Sequence, residues 1–317
     1  MTIRIGSYGQ NQLLVNQMLN QQSAMADTQQ QVSTGYKSSD YQGIANDAAS
    51  LLSSQAMQTS TQSYIDNNTK LTLKLQTYDT TLQGVASTAD SLRQAVTEAL
   101  SNNSGTGLMD TVKSLLQQAT SQLNTKIDGQ YIFGGTRTDT TPVNTTDPTA
   151  LEAMAEPPSA AFSNNQTKAQ AQVDDNTTMT YGQLASDVGQ PLLQSIQRLL
   201  KFDAGTLPSG ATGTASSFGS PLTQSQRDFL TNELSQMQTN SNDLNAKVAQ
   251  NGVLQSELQK VQTRQTTEVN TMKTFISGIQ DADMASAITK LNQQQLSLQA
   301  SYNVLSTLNK LSLVNFL

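Results

Sequence analysis

The chain has 317 residues, enough for two or three domains, but it is only 36% hydrophobic and 5% aromatic and has no Trp, which is thin for one large globular core. A net charge of −6 speaks against nucleic acid as a partner, because a phosphate backbone calls for a basic face. With no Cys and no His, disulfides, thiol nucleophiles and the commonest general base and metal ligand are all excluded.

Residues 9–32 carry the first helical pattern. Val15, Met18, Gln22, Met25, Gln29 and Val32 recur at steps of three and four, flanked by Leu14 and Leu19. Glutamine dilutes this stripe, and an isolated helix of such length is marginal in water. It is expected to order only when packed on the last helix of the chain. The N-terminus lacks a basic region followed by an apolar core, so no cleaved signal is expected. No run approaches the ~18 apolar residues of a membrane span. These signs predict a cytosolic chain, or one exported by a route that reads no cleaved signal.

Residues 33–43, STGYKSSDYQG, form a turn-rich break. A long helix is predicted over 44–100, with Leu71, Leu75, Tyr78, Leu82, Val85, Ala89, Leu92, Val96 and Ala99 on one seam. At about 1.5 Å per residue it would be ~85 Å long, which requires a bundle or coiled coil. After SNNSGTG a shorter helix is predicted over 108–127, with Val112, Leu115, Leu116, Ala119 and Leu123 inward. Asp128-Gly129 turns the chain into a short β-type run, Tyr131 to Phe133, and Gly134-Gly135 bends it again.

From 136 the composition shifts to Pro, Thr, Asn and Asp. Residues 169–173 and 177–181 read as two strands joined by Asp174-Asp175-Asn176. Helix is predicted again over 183–202, with Pro191 near a first turn, and 203–220 reads as a mobile Gly/Ser/Thr loop. A second long helix is predicted over 221–279. Its seam runs through Leu230, Leu234, Met237, Ser241, Leu244, Val248, Asn251, Gln255, Leu258, Gln262, Gln265, Val269, Met272, Ile276 and Ile279 without a slip. The unbroken register carries the helix through Gly252, despite a cost of about 1 kcal/mol relative to Ala.

The last stretch, 281–317, is an uninterrupted amphipathic pattern through Ile288, Leu291, Leu298, Tyr302, Leu305 and Leu308, with Gln295 filling one gap. Ala300, Val304 and Leu311 widen the stripe, and Phe316 and Leu317 end the chain. An apolar helix at a terminus needs a partner, in this chain or in another subunit.

The expected fold is mainly α: a long antiparallel helical bundle or coiled-coil rod, paired N- and C-terminal helices, and a small β-containing outer domain. The expected division is 1–42 with 281–317, then 43–135 with 183–280, then 136–182. The residues expected to join subunits are Val15, Met18, Met25, Val32, Leu291, Leu298, Tyr302, Leu305, Leu308, Leu311, Phe316 and Leu317.

Candidate chemistry is sparse. Asp281 and Asp283 read as cap and dipole partners of the last helix rather than metal ligands. Asp174-Asp175-Asn176 reads as a turn rather than a calcium loop. Gly134-Gly135 lacks the lysine of a phosphate loop. Met18, Met25, Met237 and Met272 lie on seams and read as packing. Arg93, Arg198, Arg227 and Arg264 are scattered and form no basic stripe in sequence. No catalytic residue, cofactor or metal is expected.

Four stretches resemble the bacterial flagellin superfamily and, within it, the hook–filament junction type (hook-associated protein 3). They are LNQQSAMADTQQQVSTGYKSS, YIFGGTRTDTTPV, AQNGVLQSELQ and the final DADMASAITKLNQQQLSLQASYNVLSTLNKLSLVNFL. The first and last are shared with filament flagellins; the second is more specific to the junction type. The resemblance implies export through the flagellar apparatus without a cleaved signal. It also implies a chaperone on the C-terminal helix, and a tube of identical subunits next to another hook-associated protein and flagellin. Terminal helices would line that tube and the middle domain would face out. One departure is Ser91 to Gln94, which lacks the Arg/Glu pattern of many flagellins. A filament-forming flagellin and a non-flagellar coiled-coil adaptor remain as alternatives.

Overall fold

In the computed structural model of the chain, residues 2–314 are described, with side chains at 9 and over 12–307. Seven α-helices and two short antiparallel hairpins make up this part of the molecule. They divide into two compact units, Met1–Gln62 with Thr266–Leu317, and Ser63–Gln265.

The second unit is built on an antiparallel helix pair. Helix α2 (Ala48–Ser101) and helix α6 (Gln224–Gln280) both place residues in it. Their direction is set by cross-helix bonds whose numbering runs in opposite senses. Asn68 pairs with Gln265, Asn251 donates to the Leu75 carbonyl, Ser241 bonds Asp90, and Arg227 bonds Asn103. Every predicted seam residue of α2 from Leu71 to Ala99 is buried, and no predicted seam residue of α6 is exposed. The period alone placed these faces, because a long helix holds one apolar stripe toward its partner. The second long helix runs through Gly252 as predicted, with no atom near that position.

Helix α3 (Leu108–Leu123) and helix α5 (Ala185–Asp203) complete the bundle. They approach closely because α5 carries Gly189, where a Cβ would lie 2.3 Å from Leu123 Cδ1. Phe202 of α5 stacks on Phe229 at 4.1 Å and on Phe218 at 5.4 Å. Phe218 fixes the segment expected to be mobile. Asp203 Oδ1 accepts from the Phe218 N–H at 2.8 Å, and Gly105 N donates to Gly219 O at 2.8 Å. The segment is irregular as predicted, and one buried aromatic residue and two hydrogen bonds anchor its far end.

Three local predictions are corrected. Helix α3 ends at Leu123, and Lys126–Ile127 is strand β1, paired with β2 (Gln130–Tyr131). The turn between them holds Asp128 at φ 51° and Gly129 at φ 79°, the geometry an Asp-Gly hairpin turn requires. Ile132 and Phe133 are therefore not strand: they turn inward, where Phe133 meets the Tyr78 ring edge-on at 5.2 Å. Pro191 lies inside α5, a full turn beyond the predicted position, and its carbonyl accepts from Ser195 Oγ and Asn240 Nδ2.

Helix α4 (Pro148–Ala153) opens on Asp147, whose carboxylate takes the Thr149 N–H. Strands β3 (Gln170–Asp174) and β4 (Thr177–Thr180) form the predicted strand, turn, strand. Val143, Leu151, Ala161 and Val173 are buried in the same core cluster as Leu75 and Leu92.

The first unit holds helix α1 (Thr2–Thr34) and helix α7 (Met284–Val314), together with the adjoining ends of α2 and α6. The α2 helix begins at Ala48 rather than Ile44, because Tyr41–Ile44 is a short 3₁₀ turn capped by Asp40.

Candidate functional site: the paired terminal helices

The chain turns away from α1 at Gly35, which adopts φ +75°. Ala282 N donates to Gly35 O and Lys37 N donates to Gln280 O, both at 2.8 Å. These bonds clip the exit of α1 to the entry of α7 and make the two helices antiparallel. Asp283 caps α7 by accepting from Ala285 N at 3.0 Å and Ser286 N at 3.2 Å. Asp281 accepts the Ser277 hydroxyl. Asp283 is thus the predicted cap of the last helix, whereas Asp281 bonds the last turn of α6 instead.

The contact between the helices is polar as well as apolar. Gln21 Nε2 donates to Ser297 Oγ, Gln22 Nε2 donates to the Tyr302 hydroxyl at 2.6 Å, and Ser301 Oγ lies 3.5 Å from Gln21 Oε1. The side chains turned inward on α1 are Leu14, Met18, Gln21, Met25, Thr28 and Val32; on α7 they are Ala287, Leu291, Gln294, Leu298, Ser301 and Leu305. Both sets hold a strict three-four spacing.

This pairing seam agrees with the one read from the sequence only in part. Met18 is buried, and Met25, Val32, Leu291, Leu298 and Leu305 are half-buried against the partner helix. Val15 is 42% exposed and Tyr302 47% exposed. Ile288, which the stripe also included, is exposed. Leu14, Ala287 and Ser301, each one residue away, take their places. The side chains of Leu308 and Leu311, and all of Phe316 and Leu317, lie outside the described residues. Sequence reasoning missed Thr28, Ala287 and Ser301 because small and polar residues carry no hydropathy signal.

Several large apolar side chains stay exposed among the polar residues of both helices. Leu13, Leu19, Leu296 and Val304 are all at least half exposed, beside Val15, Ile288 and Tyr302. Leu296 and Tyr302 line a groove with Met25, Leu298 and the amides of Asn292, Gln295 and Gln299. Among the described residues no three His, Cys, Asp or Glu stand close enough to hold a metal ion, and no helix is long and apolar enough to cross a membrane.

Residues 234–317 match the family model for the bacterial flagellin C-terminal helical region. No curated protein sequence matches the chain. A structure described as a flagellar hook-associated protein from Vibrio parahaemolyticus is similar, with a TM-score of 0.56 and 18% identity over 73% of this chain and 96% of that one. The crystal structure of FlgL from Bacillus cereus is also similar, with a TM-score of 0.49 and 14% identity over 67% of this chain and 98% of that one. At such identity the likeness to the first is one of fold.

Proposed function

We propose that the chain is a structural axial protein of the bacterial flagellum, without enzymatic activity, that assembles with identical subunits through α1 and α7. The observation that carries this reading is the apolar surface the helix pair leaves uncovered. Pairing consumes one stripe of each helix, and Leu13, Leu19, Leu296 and Val304 remain in water. The groove where Leu296 and Tyr302 meet Met25 and Leu298 supports an interaction surface here. The flagellin-type C-terminal region over 234–317 supports the flagellar setting.

Within that setting the reading is a hook–filament junction protein, adjoining another hook-associated protein on one side and flagellin on the other. It rests on YIFGGTRTDTTPV and on a fold shared with the Vibrio structure. The proposal includes export through the flagellar apparatus, a chaperone that covers α7 before assembly, and residues Val15, Met18, Met25, Val32, Leu291, Leu298, Tyr302, Leu305, Leu308, Leu311, Phe316 and Leu317 as the subunit-joining set. It also includes the three-part division given above.

The runner-up is a filament-forming flagellin, which the match over 234–317 suits equally well. Gene deletion separates the two. Loss of a junction protein releases flagellin monomers into the medium, whereas loss of the filament subunit leaves no such monomers. A labelled subunit found along the whole filament, rather than at one level near its base, would overturn the junction reading.

A further inference from the structure

The polar seam residues Asn68 on α2 and Gln265 on α6 are both 1% exposed. A buried amide that lacks partners is destabilising, so the destination of these groups matters. Asn68 Nδ2 donates to Gln265 Oε1 at 3.0 Å and to the Val173 carbonyl at 2.9 Å. Gln265 Nε2 donates to the same carbonyl at 2.9 Å. One backbone oxygen of the β3–β4 hairpin thus receives a bond from each long helix.

That oxygen is free because the hairpin is irregular there. The register jumps between Gln172, opposite Thr178, and Asp174, opposite Thr177, so Val173 is the extra residue of a bulge. The bulge turns Val173 out of the ladder and toward the helices, where its side chain is fully buried. On either side Gln172 Nε2 reaches the Tyr64 hydroxyl at 3.4 Å and Asp174 pairs with Arg264. A contrast lies further along the same seam. Asn251, also buried, donates to the Leu75 carbonyl of α2 and needs no third segment.

We propose that the β3–β4 hairpin is a strap that holds α2 and α6 together at Asn68 and Gln265, not an appendage resting on them. Without the Val173 carbonyl, Gln265 Nε2 has no acceptor and Asn68 keeps only the bond to its neighbour. The helices must then part to admit water at this level. The two amides therefore make local closure of the rod conditional on a docked hairpin.

Hydrogen exchange on the full chain tests this. Tyr181 N and Gly182 N both donate to Ala169 O, so residues 170–180 can be replaced by a short Gly-Ser link without moving the hairpin base. Exchange over 64–69 and 261–266 is expected to accelerate about tenfold or more in the excised chain. In a background with Asn68→Leu and Gln265→Leu, whose seam needs no acceptor, the same excision should change it by less than about threefold. Equal acceleration in both backgrounds, or none in the native one, overturns the proposal. If the excised chain does not fold, Gln265→Met decides with the hairpin intact. The strap reading expects faster exchange in β3–β4 and in both helices together; unchanged exchange in the hairpin sinks it.

Discussion

Arg198 Nε stands 2.8 Å from Glu233 Oε1, with the Glu233 side chain 2% exposed. The same guanidinium reaches Glu156 Oε2 at 3.1 Å and the Ser209 carbonyl at 2.7 Å, and Lys201 lies 3.4 Å from Glu156 Oε1. One cation on α5 therefore ties together the segment after α4, the loop after α5, and α6. Removing it leaves two buried carboxylates short of their counter-ion. Arg198→Ala is expected to destabilise the second unit by about 3–5 kcal/mol, read by urea denaturation. Arg198→Lys should recover only part of this, because an ammonium cannot span both carboxylates in one plane.

Glu233 makes a pH-dependent contribution. Burial pushes its carboxyl above the ordinary value of 4.5, and the Arg198 bond and charge only partly oppose this. A raised folded pKa means that the folded state binds the proton more tightly than the unfolded state. The contribution is therefore complete below the unfolded value and is lost as pH rises through the folded one. Denaturation of the native chain and of Glu233→Gln, followed from pH 4 to about pH 8, should show the native chain losing ground against the variant as pH rises. A relative gain with rising pH would contradict the burial argument.

Tyr78 donates its hydroxyl to the Ile132 carbonyl at the base of the first hairpin, while its ring packs on Phe133. Burial drives its pKa far upward, so the hydroxyl stays protonated and remains a donor at any ordinary pH. Tyr78→Phe keeps the ring and orphans the carbonyl. The expected loss is about 1–3 kcal/mol in a thermal or urea melt, with no change in circular dichroism.

Two glycines inside helices should respond to alanine with opposite sign. Gly252 has open space around it, so Gly252→Ala should stabilise by about 0.5–1 kcal/mol. At Gly189 the new methyl would meet Leu123 Cδ1 in a fully packed core, and overpacking of that kind costs about 1–3 kcal/mol. Gly189→Ala should therefore destabilise despite the same gain in helix propensity. Paired melts of the two variants check this.

The outward face of the terminal pair gives a test that spares the fold. Leu19 and Leu296 are 57% and 69% exposed, so charging both should alter monomer stability by no more than about 0.5 kcal/mol. Leu19→Lys with Leu296→Lys is expected to abolish assembly in sedimentation while circular dichroism is retained. Assembly at the native level would show that this face is not the joining surface.

Periodicity by itself determined the long helices. Over α2 and α6 the apolar positions repeat for many turns, and a helix of that length has one way to hide such a stripe, so Leu71 to Ala99 and Leu230 to Met272 were legible residue by residue. Asp128-Gly129 likewise announced its turn, because few residues accept positive φ. What only the tertiary structure decided concerns groups whose role depends on a neighbour distant in sequence. On α1 and α7 apolar residues are spread around the helix, and hydropathy does not say which of them are covered. Pairing covered Leu14 and Ala287 rather than Val15 and Ile288, and it engaged Tyr302 through its hydroxyl while leaving much of the ring exposed. Gln265 read only as one position of the long seam, and Phe218 lay unremarked in the Gly/Ser/Thr loop. The first acquired its meaning from the Val173 carbonyl and the second from Phe202. Hydrogen bonds and ring stacks between distant segments leave no periodic trace, so folding alone assigns them.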